Sequence, residues 1–134
     1  MFILTDELTG IAAFLMFSTF LKIIVQKKLT RAELAKISKN FFGEMVKGVV
    51  DVERGILAID AELHADIEVF LLEKGSKQQD LWGINLYHEL FGDDFIEFDS
   101  LINIRPSQNN RSRGVESEAV REKIIEIVRV KIDD

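Results

Sequence analysis

Between Ser100 and Val115 the chain carries no acidic residue, although its formal charge is −6. The stretch Ile102–Gly114, INIRPSQNNRSRG, holds three arginines, the only proline and a cluster of amides and hydroxyls. Alternation over Phe95–Arg105 places Asn103 and Arg105 on one polar face of an expected strand, which Pro106 ends because it cannot donate to a ladder. Arg111 and Arg113 follow, just before an expected helix whose first amides lack partners. Guanidinium forks beside a helix N-terminus suit a phosphate or carboxylate. Asn103, Arg105, Arg111 and Arg113 are therefore the candidate contacts for a small anionic ligand. The competing interpretation is a solvated loop whose arginines pair with Asp99, Glu116 or Glu118. No GxxxxGK[ST] or GxGxxG pattern accompanies the segment, so no named nucleotide motif supports it.

A second candidate is Glu62–Glu68, ELHADIE. On a continuous strand Glu62, His64, Asp66 and Glu68 share a face, with neighbours about 7 Å apart. Glu62, His64 and Asp66 then form a candidate divalent-metal set, and a metal-bound water is a hydrolytic nucleophile. Two expectations compete: Glu62 pairs with Lys47 across a hairpin, and Asp66 caps a helix. His88, Asp93 and Asp94 join such a site only if the fold brings them close. With two histidines in the chain, a His-rich metal site is excluded. Ser100 or Ser112 with His64 and an aspartate lacks a nucleophile-elbow sequence. Trp82 and Tyr87 are candidates for stacking on a base, but Trp82 alternates with Ile84 and Leu86, which favours core packing. No pattern names a cofactor, and nothing in the sequence decides between catalysis and binding.

The totals narrow the classes. At 134 residues the chain fits one domain, and 47% hydrophobic with 30% charged residues is ordinary globular composition. A pI near 5.0 argues against a nucleic-acid partner, which requires a dominant positive field. Cysteine is absent, which excludes disulfides and thiolate-ligated metals and leaves a reducing cytoplasm as the default location. Leu8–Leu21 is uncharged and largely apolar, but shorter than the roughly 20 residues of a bilayer span. Asp6 and Glu7 precede it, where a secretory signal carries basic residues. Thr5 as N-cap with Asp6 and Glu7 behind it instead starts a buried helix, suited to packing on a second copy of the protein.

The elements that position the candidates follow from periodicity. Leu21–Gln26 reads as a short strand. Thr30 and Glu33 form a capping box, with Leu29 stapled onto Leu34, for a helix whose face is Leu34, Ile37 and Phe41 and which Gly43 ends. Val46–Ala65 reads as a hairpin about Arg54-Gly55. That register pairs Val52–Leu57, Val50–Ile59, Gly48–Ala61 and Val46–Leu63 on one face. The other face carries Asp51–Ala58, Val49–Asp60 and Lys47–Glu62. A helix over Asp66–Lys74 ends at Gly75. Strands follow at Leu81–Tyr87 and Phe95–Arg105, then a helix over Ser117–Ile132 striped by Val120, Ile124, Val128 and Ile132.

The strings ELHADIEVFLLEKGSKQQDLWGINLY and FDSLINIRPSQNNRSRGVE resemble a prokaryotic family known as a domain of unknown function. The resemblance covers residues 21–134 and implies no activity. Residues 1–20 fall outside it and read as an extension, or as sequence upstream of a start at Met16.

The expected fold is α+β: an antiparallel-rich sheet of about five strands with helices on one face. Residues 1–20 form an apolar helix or extension and 21–134 the domain. The sequence points first to a soluble module binding a small anionic ligand through the Arg/Asn loop. Its alternatives are a metal-dependent hydrolase using Glu62, His64 and Asp66, and a non-catalytic interaction protein that forms a homo-oligomer through residues 1–20.

Overall fold

The computed structural model describes residues 2–4, 23–25, 28–41 and 43–133. The expected N-terminal helix and the dimer interface built on it lie outside the described residues. Among those residues the chain runs β1 (Phe2–Leu4), β2 (Ile23–Val25), β3 (Leu29–Thr30), α1 (Arg31–Ser38), β4 (Val46–Asp51), β5 (Ile56–Ile59), α2 (His64–Glu73), β6 (Leu81–Leu86), β7 (Ile96–Glu97), α3 (Glu118–Lys131) and β8 (Ile132–Asp133). Single 3-10 turns at 78–80, 92–94, 101–103 and 106–108 link them. One sheet has the order β1-β2-β5-β4-β6-β7, antiparallel except for the β1–β2 pair. β3 and β8 form a small parallel pair. The α+β expectation around an antiparallel-rich sheet holds.

Helices cover both faces of that sheet, not one. On the first face Val46, Val50, Leu57, Ile59, Trp82, Ile84 and Leu86 pack with Leu34 of α1 and Ile124 and Val128 of α3. On the second, Val49, Ala58 and Leu81 pack with Ile67, Phe70 and Leu71 of α2. Strands β4–β6 carry apolar residues on both sides, so a single helical layer would leave one side wet. Each fully buried Leu or Ile contributes about 1.5–3 kcal/mol, which drives the second layer.

Local signals explain the ends. Thr30 accepts from the Glu33 amide at 3.1 Å while the Glu33 carboxylate accepts from the Thr30 amide at 3.2 Å, a complete capping box. Ser117 caps α3, and Ile124 and Val128 on its expected stripe are fully buried.

The hairpin register departs from expectation by two positions: Val50 faces Leu57 and Asp51 faces Ile56. Asp51 is the cause. Its carboxylate accepts from the Glu53 and Arg54 amides at 3.0 and 2.9 Å and from the Ser76 hydroxyl at 2.6 Å. The Gly55 amide returns to the Asp51 carbonyl at 2.9 Å, and Gly55 takes φ +67°. The loop therefore widens to Val52–Gly55, because the buried carboxylate is satisfied only by that wrap. A slip of two preserves side-chain alternation, so the residues of β4 and β5 keep their expected faces. The Lys47–Glu62 pair is lost. Lys47 faces Asn85 instead, and β5 ends at Ile59, before Asp60 at φ +75°.

Candidate functional site

The arginine segment is first of all architecture. The expected strand Phe95–Arg105 is realised only at Ile96–Glu97; residues 101–103 wind into a 3-10 turn. In place of a backbone ladder, the buried Asn103 side chain closes the edge of β6. Its Oδ1 accepts from the Gly83 amide at 2.8 Å, and its Nδ2 donates to the Gly83 carbonyl at 3.0 Å and the Arg113 carbonyl at 2.9 Å. Gly83 is required for Ser100 to pack against the strand here, since a Cβ there would lie 2.5 Å from the Ser100 Cβ.

Asn110 braces the same loop through the Asn103 and Gly114 carbonyls at 2.7 and 2.8 Å. Arg105 is buried, its guanidinium 4.1 Å from the Trp82 ring centroid and donating to the Gln78 and Leu81 carbonyls. Burial pulls its pKa down, against the opposing pull of Glu68 and Asp80. Asn103 and Arg105, expected side by side on a strand face, instead spend most of their hydrogen bonds on backbone. Arg111 and Arg113 stay on the surface. The Arg113 Nε donates to Asp99 at 2.6 Å. The Glu116 carboxylate accepts from the Arg111 and Ser112 amides at 2.5 and 3.0 Å, which holds its pKa below the usual carboxylate range.

The ELHAD residues do not share one strand face. Leu63 is the N-cap of α2, His64 its first residue, and Asp66 lies in its first turn. Helical spacing turns the exposed Asp66 away from the buried His64, and Glu62 is exposed before the helix. Among the described residues no three His, Asp or Glu side chains converge as a metal would require. His88 lies elsewhere, its Nε2 at 3.1 Å from the Gly43 carbonyl and 3.2 Å from the Ser38 hydroxyl. Asp93 and Asp94 occupy the exposed turn at 92–94.

What the fold does bring together is a polar row on the α2 face of the sheet. Lys47, Asn85 and Glu97 face one another across β4, β6 and β7. Cross-strand partners project to one side, so these three head groups share a surface. Asn85 is 3% exposed; its Nδ2 donates to the Glu97 carboxylate at 2.8 Å and the Asp99 carbonyl at 3.3 Å. Its Oδ1 is buried without a hydrogen-bond partner. Tyr87 donates its hydroxyl to Glu97 at 3.1 Å, and burial followed by that carboxylate pushes the phenol pKa up.

His64 reaches the row from α2, its Nε2 at 2.8 Å from the Ile84 carbonyl. A carbonyl only accepts, so Nε2 carries the proton and Nδ1 the lone pair of the neutral ring. Burial is the main cause that lowers the His64 pKa, and Lys47 adds to it; the Ile84 carbonyl, Asp99 and the adjoining Asn85 side chain oppose them. Arg113, bound to Asp99, closes one flank.

Thus one residue from each sequence candidate is tied to Asp99: Arg113 through its ion pair and His64 through the field of that carboxylate. Lys47, Asn85, Glu97 and Asp99 were not singled out in the sequence as a site. A signal existed: Asn85 stands between Ile84 and Leu86 in a strand whose other positions are apolar, aromatic or glycine.

No curated protein and no solved structure gives a significant match to the chain. Residues 23–131 match the family described as Protein of unknown function (DUF5674), and the chain belongs to that family.

Proposed function

We propose that the chain is a binding module for a small anionic ligand that also carries hydrogen-bond donors, such as a hydroxy acid, an amino acid or a phosphomonoester. The contact set combines Arg113 of the Arg/Asn loop with Lys47, His64, Asn85 and Glu97. Arg111 stands at the same loop's exposed end. The observation that carries this reading is Asn85: an almost fully buried amide whose Oδ1 lacks a donor, amid charges of both signs. Leaving such an atom unpaired costs about 1–3 kcal/mol, and a ligand hydroxyl or ammonium reaching it offsets that cost. Lys47 and Arg113 supply the positive field for the ligand's acid, while Glu97 and Asp99 accept from its donors. The neutral His64 Nδ1 adds one further acceptor.

The test is amide NMR of the full chain titrated with inorganic phosphate, glucose 6-phosphate, malate and glutamate. Shifts confined to residues 83–87, 97–99 and 113, and lost in Lys47→Gln and Arg113→Gln, are expected for at least one probe. The reading is wrong if none of the four moves those amides at millimolar concentration, or if the double variant binds as well as the parent.

A further inference from the structure

On the opposite face of the sheet, between α3 and the segment 91–98, lies a groove of about 540 Å³ that the polar row does not touch. Its walls include Phe95 and Phe98 on one side and Ile125 and Val128 of α3 on the other. That volume falls within the range of small-molecule sites, roughly 300–1,000 Å³. Three arginines line it: Arg31, Arg121 and Arg129. The Arg31 guanidinium lies between two rings, 4.3 Å from the Phe91 centroid and 4.1 Å from that of Phe95. Its Nη1 is anchored on the Leu90 carbonyl at 2.7 Å, so the cation holds the aromatic loop in place. Phe91 nevertheless stays 66% exposed, a large apolar face offered at the groove's rim.

The charge is unbalanced in the direction of an acid. Asp93 and Asp133 also line the groove, but Asp133 is held by Lys28 at 3.4 Å. Arg121 has its Nη1 on the Val115 and Glu116 carbonyls at 2.6 and 3.0 Å, which fixes the guanidinium through one nitrogen. A guanidinium has five N–H donors, so a fixed one keeps an edge for a carboxylate. In a chain of net charge −6, an arginine-lined groove with an aromatic wall selects for charge and apolar shape together.

We infer that this groove binds a small organic acid with an aromatic or branched apolar body, which stacks on Phe91 and Ile125 while its acid group meets Arg121 and Arg129. The inference is independent of the site around Asn85: its ligand differs in having an apolar body.

The probes are 2-naphthylacetic acid and its neutral counterpart 2-(2-naphthyl)ethanol, titrated into the full chain and followed by amide NMR. The acid is expected to shift residues 91–96 and 121–132 and to bind roughly tenfold more tightly than the alcohol. Ile125→Glu, at a partly exposed position, abolishes those shifts with circular dichroism unchanged. Phe91→Ala, at an exposed one, weakens binding several-fold. Arg129→Gln brings the acid toward the alcohol's affinity. Equal affinity for both probes, no shift in those two segments, or an undiminished response in folded Ile125→Glu or Phe91→Ala overturns the assignment. Shifts confined to residues 83–87 and 97–99 overturn it too and point to the Asn85 site instead.

Discussion

Strand β6 presents two polar regions built from the same residue types. At Gly83 an asparagine side chain, Asn103, reaches in and pairs every hydrogen-bonding atom it has with backbone. Two residues on, Asn85 reaches out from the strand, its Nδ2 on Glu97 and Asp99 and its Oδ1 unpaired. Arginines divide the same way: Arg105 is buried on carbonyls, while Arg113 is exposed on a carboxylate. Residue type does not distinguish scaffold from site. The use of each polar atom separates the two asparagines: Asn103 is committed to backbone, whereas the Asn85 Oδ1 is left without a partner.

The largest expected effect breaks the scaffold side. Asn103→Ala strips partners from the Gly83 amide and carbonyl and from the Arg113 carbonyl. At about 1–3 kcal/mol for each buried group left unsatisfied, the urea midpoint should fall by the equivalent of about 3 kcal/mol or more. Gly83→Ala should approach this, since the new methyl collides with Ser100. A loss under about 1 kcal/mol in both would remove the distinction between the Asn103 scaffold and the polar row.

Asp60 tests the rule that unpartnered buried atoms cost stability. Burial raises its pKa from 3.8 to about 6, and its Oδ1 has no partner. Between those pH values the folded chain keeps a proton the unfolded chain has released, so stability falls as pH rises through the window. Asp60→Asn should therefore stabilise by about 1–2 kcal/mol at pH 7, with the gain fading as pH falls from about 6 to 3.8. Urea titrations at the two ends of that range check it.

His64 shifts the other way. Its lowered folded pKa means that the unfolded chain takes up a proton first as pH falls below 6.5. The parent should lose stability on acidification relative to His64→Gln, and the difference between the two across this range isolates the ring from Asp60.

The smallest effect belongs to the row itself. Asn85→Leu removes the unpaired Oδ1 and should change stability by less than about 1 kcal/mol, while abolishing the ligand-induced shifts. If it unfolds the chain as Asn103→Ala does, the row is scaffold as well.

Much of this was legible in the chain. The Thr30 capping box, the α3 stripe, the alternation of Trp82, Ile84 and Leu86 and the partition of β4 and β5 residues between faces are local or periodic properties. Short-range sterics and hydrophobic spacing specify them without reference to the rest of the molecule. The pairing of Arg113 with an acid was among the sequence's own alternatives. What it did not contain was the loop set by Asp51, whose geometry depends on Ser76, or the replacement of strand pairing by the Asn103 side chain.

The sequence by itself determined the elements, their buried sides and the residue types available for chemistry. Tertiary structure decided which of those residues are spent, because satisfying a buried amide or carboxylate depends on partners distant in sequence. It made Asn103 and Arg105 part of the frame, separated His64 from Glu62 and Asp66, and set it against Gly83, Ile84 and Asn85. Those distances close only when β4, β6 and β7 lie side by side beneath α2.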